Sequence, residues 1–189
     1  MTAILPPELD ELGRQYRETE RSVRELTDGL AAKDGIRPPR PGSWSVAECL
    51  EHMATANHAY LGAMEEAAAM ARVAGRTRRG PAKPGILGGA FARMMEPRKR
   101  RSLKAPAPPV SHPVGKSLAD ALDNWLASQD RLARFMEDYA DLDLAGTRFK
   151  NPFVARVRFS LATGLHVLAA HDRRHLEQAR RAKSAVISL

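Results

Sequence analysis

SLATGLHVLAAHDRRHLEQARR, residues 160–181, decides how the rest of the chain is read. Gly164, Leu168, His171, His175 and Gln178 follow one another at spacings of four, three, four and three, so they share one helical face. That face begins apolar and ends in two imidazoles and a carboxamide without leaving the side that a core stripe occupies. His171 and His175 stand one turn apart, close enough to converge on one ion. Imidazoles withdrawn from water cost free energy unless each finds a partner. A metal is the economical partner, because neutral imidazole commonly ligates zinc, nickel and iron. The bland alternative is two helix histidines satisfied by water or carboxylates. A motif this short recurs by chance, so a third ligand on another helix has to decide.

Outward from this helix, the same period recurs. Leu5, Leu9, Leu12, Tyr16, Thr19, Val23, Leu26 and Leu30 form an amphipathic seam, with Glu8, Asp10 and Glu11 at the positive end of its helix dipole. Gly35, Pro38, Pro39, Pro41 and Gly42 end it in a stiff connector. Ser45 with Glu48 forms a capping box for a second helix, expected to run to about Ala74, and Trp44 is placed to staple onto Cys49. Ala54, Ala56, Ala59, Gly62 and Ala63 are expected to let a neighbouring helix approach closely. His52 shares the face of Cys49 and Ala56, whereas His58 points away from it, to the surface or an edge. A third helix opens at Ser117 with Asp120 and carries Leu118, Leu122, Trp125, Gln129, Leu132, Met136 and Tyr139. Phe149, Phe153, Val154, Val157 and Phe159 are expected to pack over one end of the bundle. No strand alternation of useful length, internal repeat or phosphate-binding glycine loop is visible.

Residues 75–116 differ from the rest in being rich in proline, glycine and positive charge. The net charge of +8 is concentrated in this region: from Arg72 to Lys104 there are eleven Lys or Arg and one acid, Glu96. The segment is expected to be a solvated crossover between helices 2 and 3, with Ile86–Met95 making a helical turn or two. The Pro97–Arg101 run would suit phosphate, but Phe91 is the segment's one aromatic and no reading helix is recognisable. Nucleic acid is therefore disfavoured, and His112 in the linker is incidental. The expected architecture is all-α: one domain over residues 1–189, a four-helix bundle with a long basic crossover.

The single cysteine, Cys49, excludes an intramolecular disulfide and a cysteine metal cluster, and on its apolar face it reads as a small core residue. Neither a signal peptide nor a run of about eighteen apolar residues is visible, so the expectation is a cytoplasmic protein that does not span a membrane.

Trp44-Ser45-x-x-Glu48-x-x-x-His52, followed far downstream by His171-x-x-x-His175-x-x-Gln178, resembles the DinB-like superfamily. These small four-helix bundles include the N-terminal domain of mycothiol-dependent maleylpyruvate isomerase and the bacillithiol and mycothiol S-transferases. The resemblance covers the whole chain in order and length, although the crossover here is longer and more charged. It implies a divalent metal (zinc, nickel or iron) on His52, His171 and His175, and it assigns no role to Gln178. It also favours a small-molecule substrate, a low-molecular-weight thiol as co-substrate and S-transferase activity, and it is compatible with a homodimer. Three neutral imidazoles would leave coordination positions open, as in a catalytic site. The alternatives are a hydrolase using an activated water, and a non-catalytic bundle binding metal or an anionic partner. Glu48 is expected to be occupied by the cap. Glu51 and Asp172 are expected to face solvent, with orientation of a ligand imidazole as the alternative.

Overall fold

The computed structural model describes residues 5–97 and 117–188. They form α1 (Pro7–Thr27), α2 (Ala32–Gly35), α3 (Val46–Val73), α4 (Ile86–Met95), α5 (Leu118–Asp138), β1 (Arg148–Lys150), β2 (Arg158–Ser160) and α6 (Leu161–Ile187). The long helices α1, α3, α5 and α6 make the expected all-α bundle, with α3 packed on both α5 and α6, and α6 also on α1 and α4. The basic run at 98–101 and His112 lie outside the described residues.

Local chemistry explains where the helices start. Pro7 occupies the first turn of α1, where its missing N–H is no loss. At α3 the capping box is complete: Ser45 Oγ accepts from the Glu48 N–H at 3.2 Å, and Glu48 Oε2 accepts from the Ser45 N–H at 2.7 Å. Ser117 and Ser160 accept from Asp120 N and Thr163 N to start α5 and α6. Along α1 the seam is buried as expected from Leu9 through Leu26. Helix α6 is buried on a wider arc than its histidine face alone, since Leu161, Leu165, Asp172, Leu176 and Ala179 are also inside.

Three expectations are corrected. The crossover is not solvated throughout its described part. Ile86–Met95 is a helix of ten residues lying on α6. Gly88 meets Thr163 so closely that a Cβ would sit 2.4 Å from its hydroxyl, and Phe91 packs on Phe159 with ring centroids 5.1 Å apart. The start of the crossover is pinned too: Glu8 accepts from Arg78 and from the Ala82 N–H, and the Arg78 N–H donates to Asp141 O at 2.7 Å. Second, the stretch before α6 does contain strands. β1 and β2 pair antiparallel with Phe149 opposite Phe159, each strand being only three residues long with one inward phenyl ring, too short for an alternation signal. Third, Gly62 does not serve close approach. It is exposed, and a Cβ there would meet no atom within 4 Å.

Close approach falls instead on Gly164, whose added Cβ would lie 2.7 Å from Met64 Sδ and 2.9 Å from the Phe149 ring. Gly164→Val is expected to destabilise the protein by about 1–3 kcal/mol through overpacking. Gly62→Ala is expected to stabilise it by about 0.5–1 kcal/mol, because a helix interior gains from losing glycine where space is open. Urea unfolding of the two variants beside the parent measures both signs.

Candidate metal centre

Helices α3 and α6 pack so that His52 of α3 faces His171 and His175 of α6. Ring centroids of the three lie 5.0 Å (52 to 171), 4.5 Å (52 to 175) and 4.4 Å (171 to 175) apart. Each offers a nitrogen within 4.8 Å of the other two, which positions the three to hold a metal ion. His52 Nε2 and His171 Nε2 are separated by 3.1 Å. Two imidazole nitrogens on one tetrahedral zinc would lie about 3.3–3.4 Å apart, so the rings need little adjustment to share an ion. His171 is buried, while His52 and His175 are half-buried.

His175 is prepared for ligation in its charge and its tautomer. Burial first, then the neighbouring His171 and His52, press the pKa of His175 far below its usual 6.5, with only partial opposition from a bond to Gln178. His175 is therefore neutral, the form a metal requires. Its Nδ1 donates to Gln178 Oε1 at 3.1 Å, so Nε2 keeps its lone pair for the shared point. Gln178, which has no assigned role in the sequence reading, thus orients a candidate ligand from one turn further along α6.

Trp44 supplies a second feature beyond the expected one. It packs against the core cluster containing Cys49, but its indole also covers two of the histidines. The ring is stacked on His175 at 5.6 Å and tilted on His52 at 4.7 Å between centroids. Its position just before the cap, taken locally, implies only a staple, although Trp44 also heads the motif that carries the family resemblance.

The expectation that Glu51 and Asp172 face solvent is wrong for both. Glu51 is 5% exposed and accepts from Asn124 Nδ2 at 3.0 Å, while Asn124 Oδ1 accepts from the half-buried His58 at 3.3 Å. Asp172 has no exposed surface. Its Oδ2 accepts from Asn57 Nδ2 (3.1 Å), Trp125 Nε1 (3.3 Å) and Gln129 Nε2 (2.8 Å). Its Oδ1 lies 3.6 Å from His171 Nδ1. The carboxylate is enclosed by side chains from α3 and α5, which supply those three donors. Glu48 is held in the cap as expected, and Cys49 is a fully buried core residue whose thiol pKa burial pushes up, unsuited to a nucleophile.

A sequence model of the DinB superfamily matches residues 15–179, a span that contains all three histidines. No curated protein and no solved structure matches the chain. Among the described residues, no helix is long and apolar enough to cross a membrane.

Because His175 stays unprotonated when folded, only the unfolded chain takes up a proton there as pH falls below about 6.5. This group leaves stability unchanged above that pH and lowers it below, by up to about 1.4 kcal/mol per pH unit. Urea midpoints of metal-free protein, followed from about pH 7 to about pH 5, are expected to fall less steeply in His175→Gln than in the parent.

Proposed function

The chain belongs to the DinB superfamily, and from that premise we propose that it is a metal-dependent enzyme joining a low-molecular-weight thiol to a small electrophile. The observation that carries this reading is the convergence of His52, His171 and His175 from two helices. His52 and His171 would hold the ion through Nε2, as would His175, whose Nδ1 is committed to Gln178. Three protein ligands with a free position match catalytic rather than structural sites, which close on four. A divalent ion there supplies electrostatic stabilisation of a thiolate, lowering the pKa of a thiol brought to it. The residues around it do the rest. Trp44 lies against the His52 and His175 rings, and the buried carboxylate of Asp172 lies beside His171. Neutral imidazole ligands bring no negative charge of their own to the ion, which favours an anionic sulfur over a neutral group.

The test uses untagged protein, analysed for bound metal and then assayed with zinc, nickel or iron, a low-molecular-weight thiol and a chlorodinitrobenzene electrophile. Metal-dependent conjugation above the uncatalysed rate is expected. Failure with every metal would reject thiol transfer, and ester cleavage without thiol would favour the hydrolase instead. His171→Ala is expected to abolish stoichiometric metal while leaving the helical circular-dichroism signal nearly unchanged, since the core does not run through the ion. Unfolding of the parent on chelation would mark the ion as structural.

A further inference from the structure

The buried Asp172 carboxylate faces two different environments, and the difference determines where protons sit on His171. Oδ2 is surrounded by donors from α3 and α5. One of them, the Trp125 indole N–H, can only donate. Oδ1 and His171 Nδ1 are 3.6 Å apart, and among the described residues neither has a hydrogen-bond partner. Both atoms are out of reach of water, so each is the other's natural partner, with a small ring rotation closing the gap. A carboxylate can only accept. Nδ1 must then carry the proton, and Nε2, facing His52, is left with its lone pair.

We propose that Asp172, fixed by Asn57, Trp125 and Gln129, is the positioning residue that holds His171 in the one tautomer able to ligate through Nε2. This rests on the metal reading above for its consequence, though not for the tautomer itself. In the metal-free protein the same arrangement makes His52 Nε2 the donor and His171 Nε2 the acceptor across their 3.1 Å contact. The Gln178 contact does the same for His175 from the opposite kind of group, a neutral amide oxygen on its Nδ1.

The isosteric change Asp172→Asn separates this role from simple filling of space. Trp125 Nε1, which cannot accept, forces the new amide oxygen into the Oδ2 position. The amide N–H₂ then faces His171 Nδ1 and donates to it. Nδ1 must become the acceptor, and the proton moves to Nε2, where a metal needs a lone pair. The heavy atoms stay in place while the tautomer inverts, as happens when the aspartate of a serine-protease catalytic triad is replaced by asparagine.

Long-range ¹H–¹⁵N NMR of the metal-free parent at neutral pH reads the tautomer directly, with the His171 signal identified by its loss in His171→Ala. Nδ1–H is expected for His171; Nε2–H would overturn the proposal. In Asp172→Asn the expected result is Nε2–H, with Co²⁺ and Zn²⁺ affinity reduced about 10–100-fold and a circular-dichroism spectrum like the parent's. Parental affinity in a folded Asp172→Asn would also overturn it. Should that variant not fold, the parent spectrum decides alone. A parent that binds neither ion would defeat the metal reading, while its His171 tautomer would still test the role of Asp172.

Discussion

A carboxylate with no access to water governs the centre of this bundle. Moving such a charge out of water costs several kcal/mol unless hydrogen bonds replace its hydration. Asp172 meets that demand with bonds from Asn57 on α3 and from Trp125 and Gln129 on α5. Asn57 and Gln129 are themselves buried polar groups, and their amide N–H₂ groups find in Oδ2 the acceptor that each would otherwise lack. Because these bonds tolerate little displacement, they hold three helices at one relative height. His171 adjoins Asp172 on α6, and His52 lies five residues before Asn57 on α3. The register that satisfies the carboxylate is thus also the register in which the imidazoles meet.

This explains which parts of the molecule can be read from the chain. Caps and seams depend on neighbours within one helix, and Ser45, Ser117 and Ser160 start α3, α5 and α6 by such local bonds. The His171–His175 pair is local in the same sense, and the resemblance of the paired motifs supplies His52. Asp172 escapes a sequence reading although it stands in the stripe Leu161, Leu165, Leu168, Leu176 and Ala179. The stripe places it inside, but a lone carboxylate is costly to bury, and nothing within one helix reveals the donors that offset that cost. Gln129 and Asn57 fall on their helices' apolar seams, where the sequence offers no purpose for their amides. Each of the three interrupts an apolar seam, and only their meeting in space turns three apparent defects into one network.

The crossover and the hairpin show the opposite limit. Charge and proline dominate residues 75–116, so composition points to solvent. What orders the described part is a small set of tertiary contacts: Gly88 against Thr163, Phe91 on Phe159, and Glu96 paired with Arg173 of α6. None has a periodic signature. Likewise, Asn151 accepts from the Phe153 and Val154 N–H groups while its own amide donates to Tyr60. That ties the hairpin turn to α3 by one side chain whose third partner lies 91 residues away in sequence.

Stability and chemistry are kept apart in this arrangement. Two apolar clusters, one around Leu61, Leu132 and Leu165 and one around Leu50, Trp125 and Ala179, bury the core without an ion. A core of that extent supports the proposal that the histidine group serves chemistry and not folding. Its charge balance then bears on the proposed reaction. Three neutral imidazoles add nothing to a dication, and Asp172 supplies one negative charge beside His171. A carboxylate behind a ligand imidazole makes that imidazole a stronger donor and so softens the ion's pull on whatever occupies the open position. A thiol, with a pKa of about 8.5, needs to be lowered by only one or two units to be anionic at neutral pH. Bulk water, at about 15.7, needs more than eight. A centre whose charge is partly offset from behind is thus under far less demand when the group brought to it is sulfur.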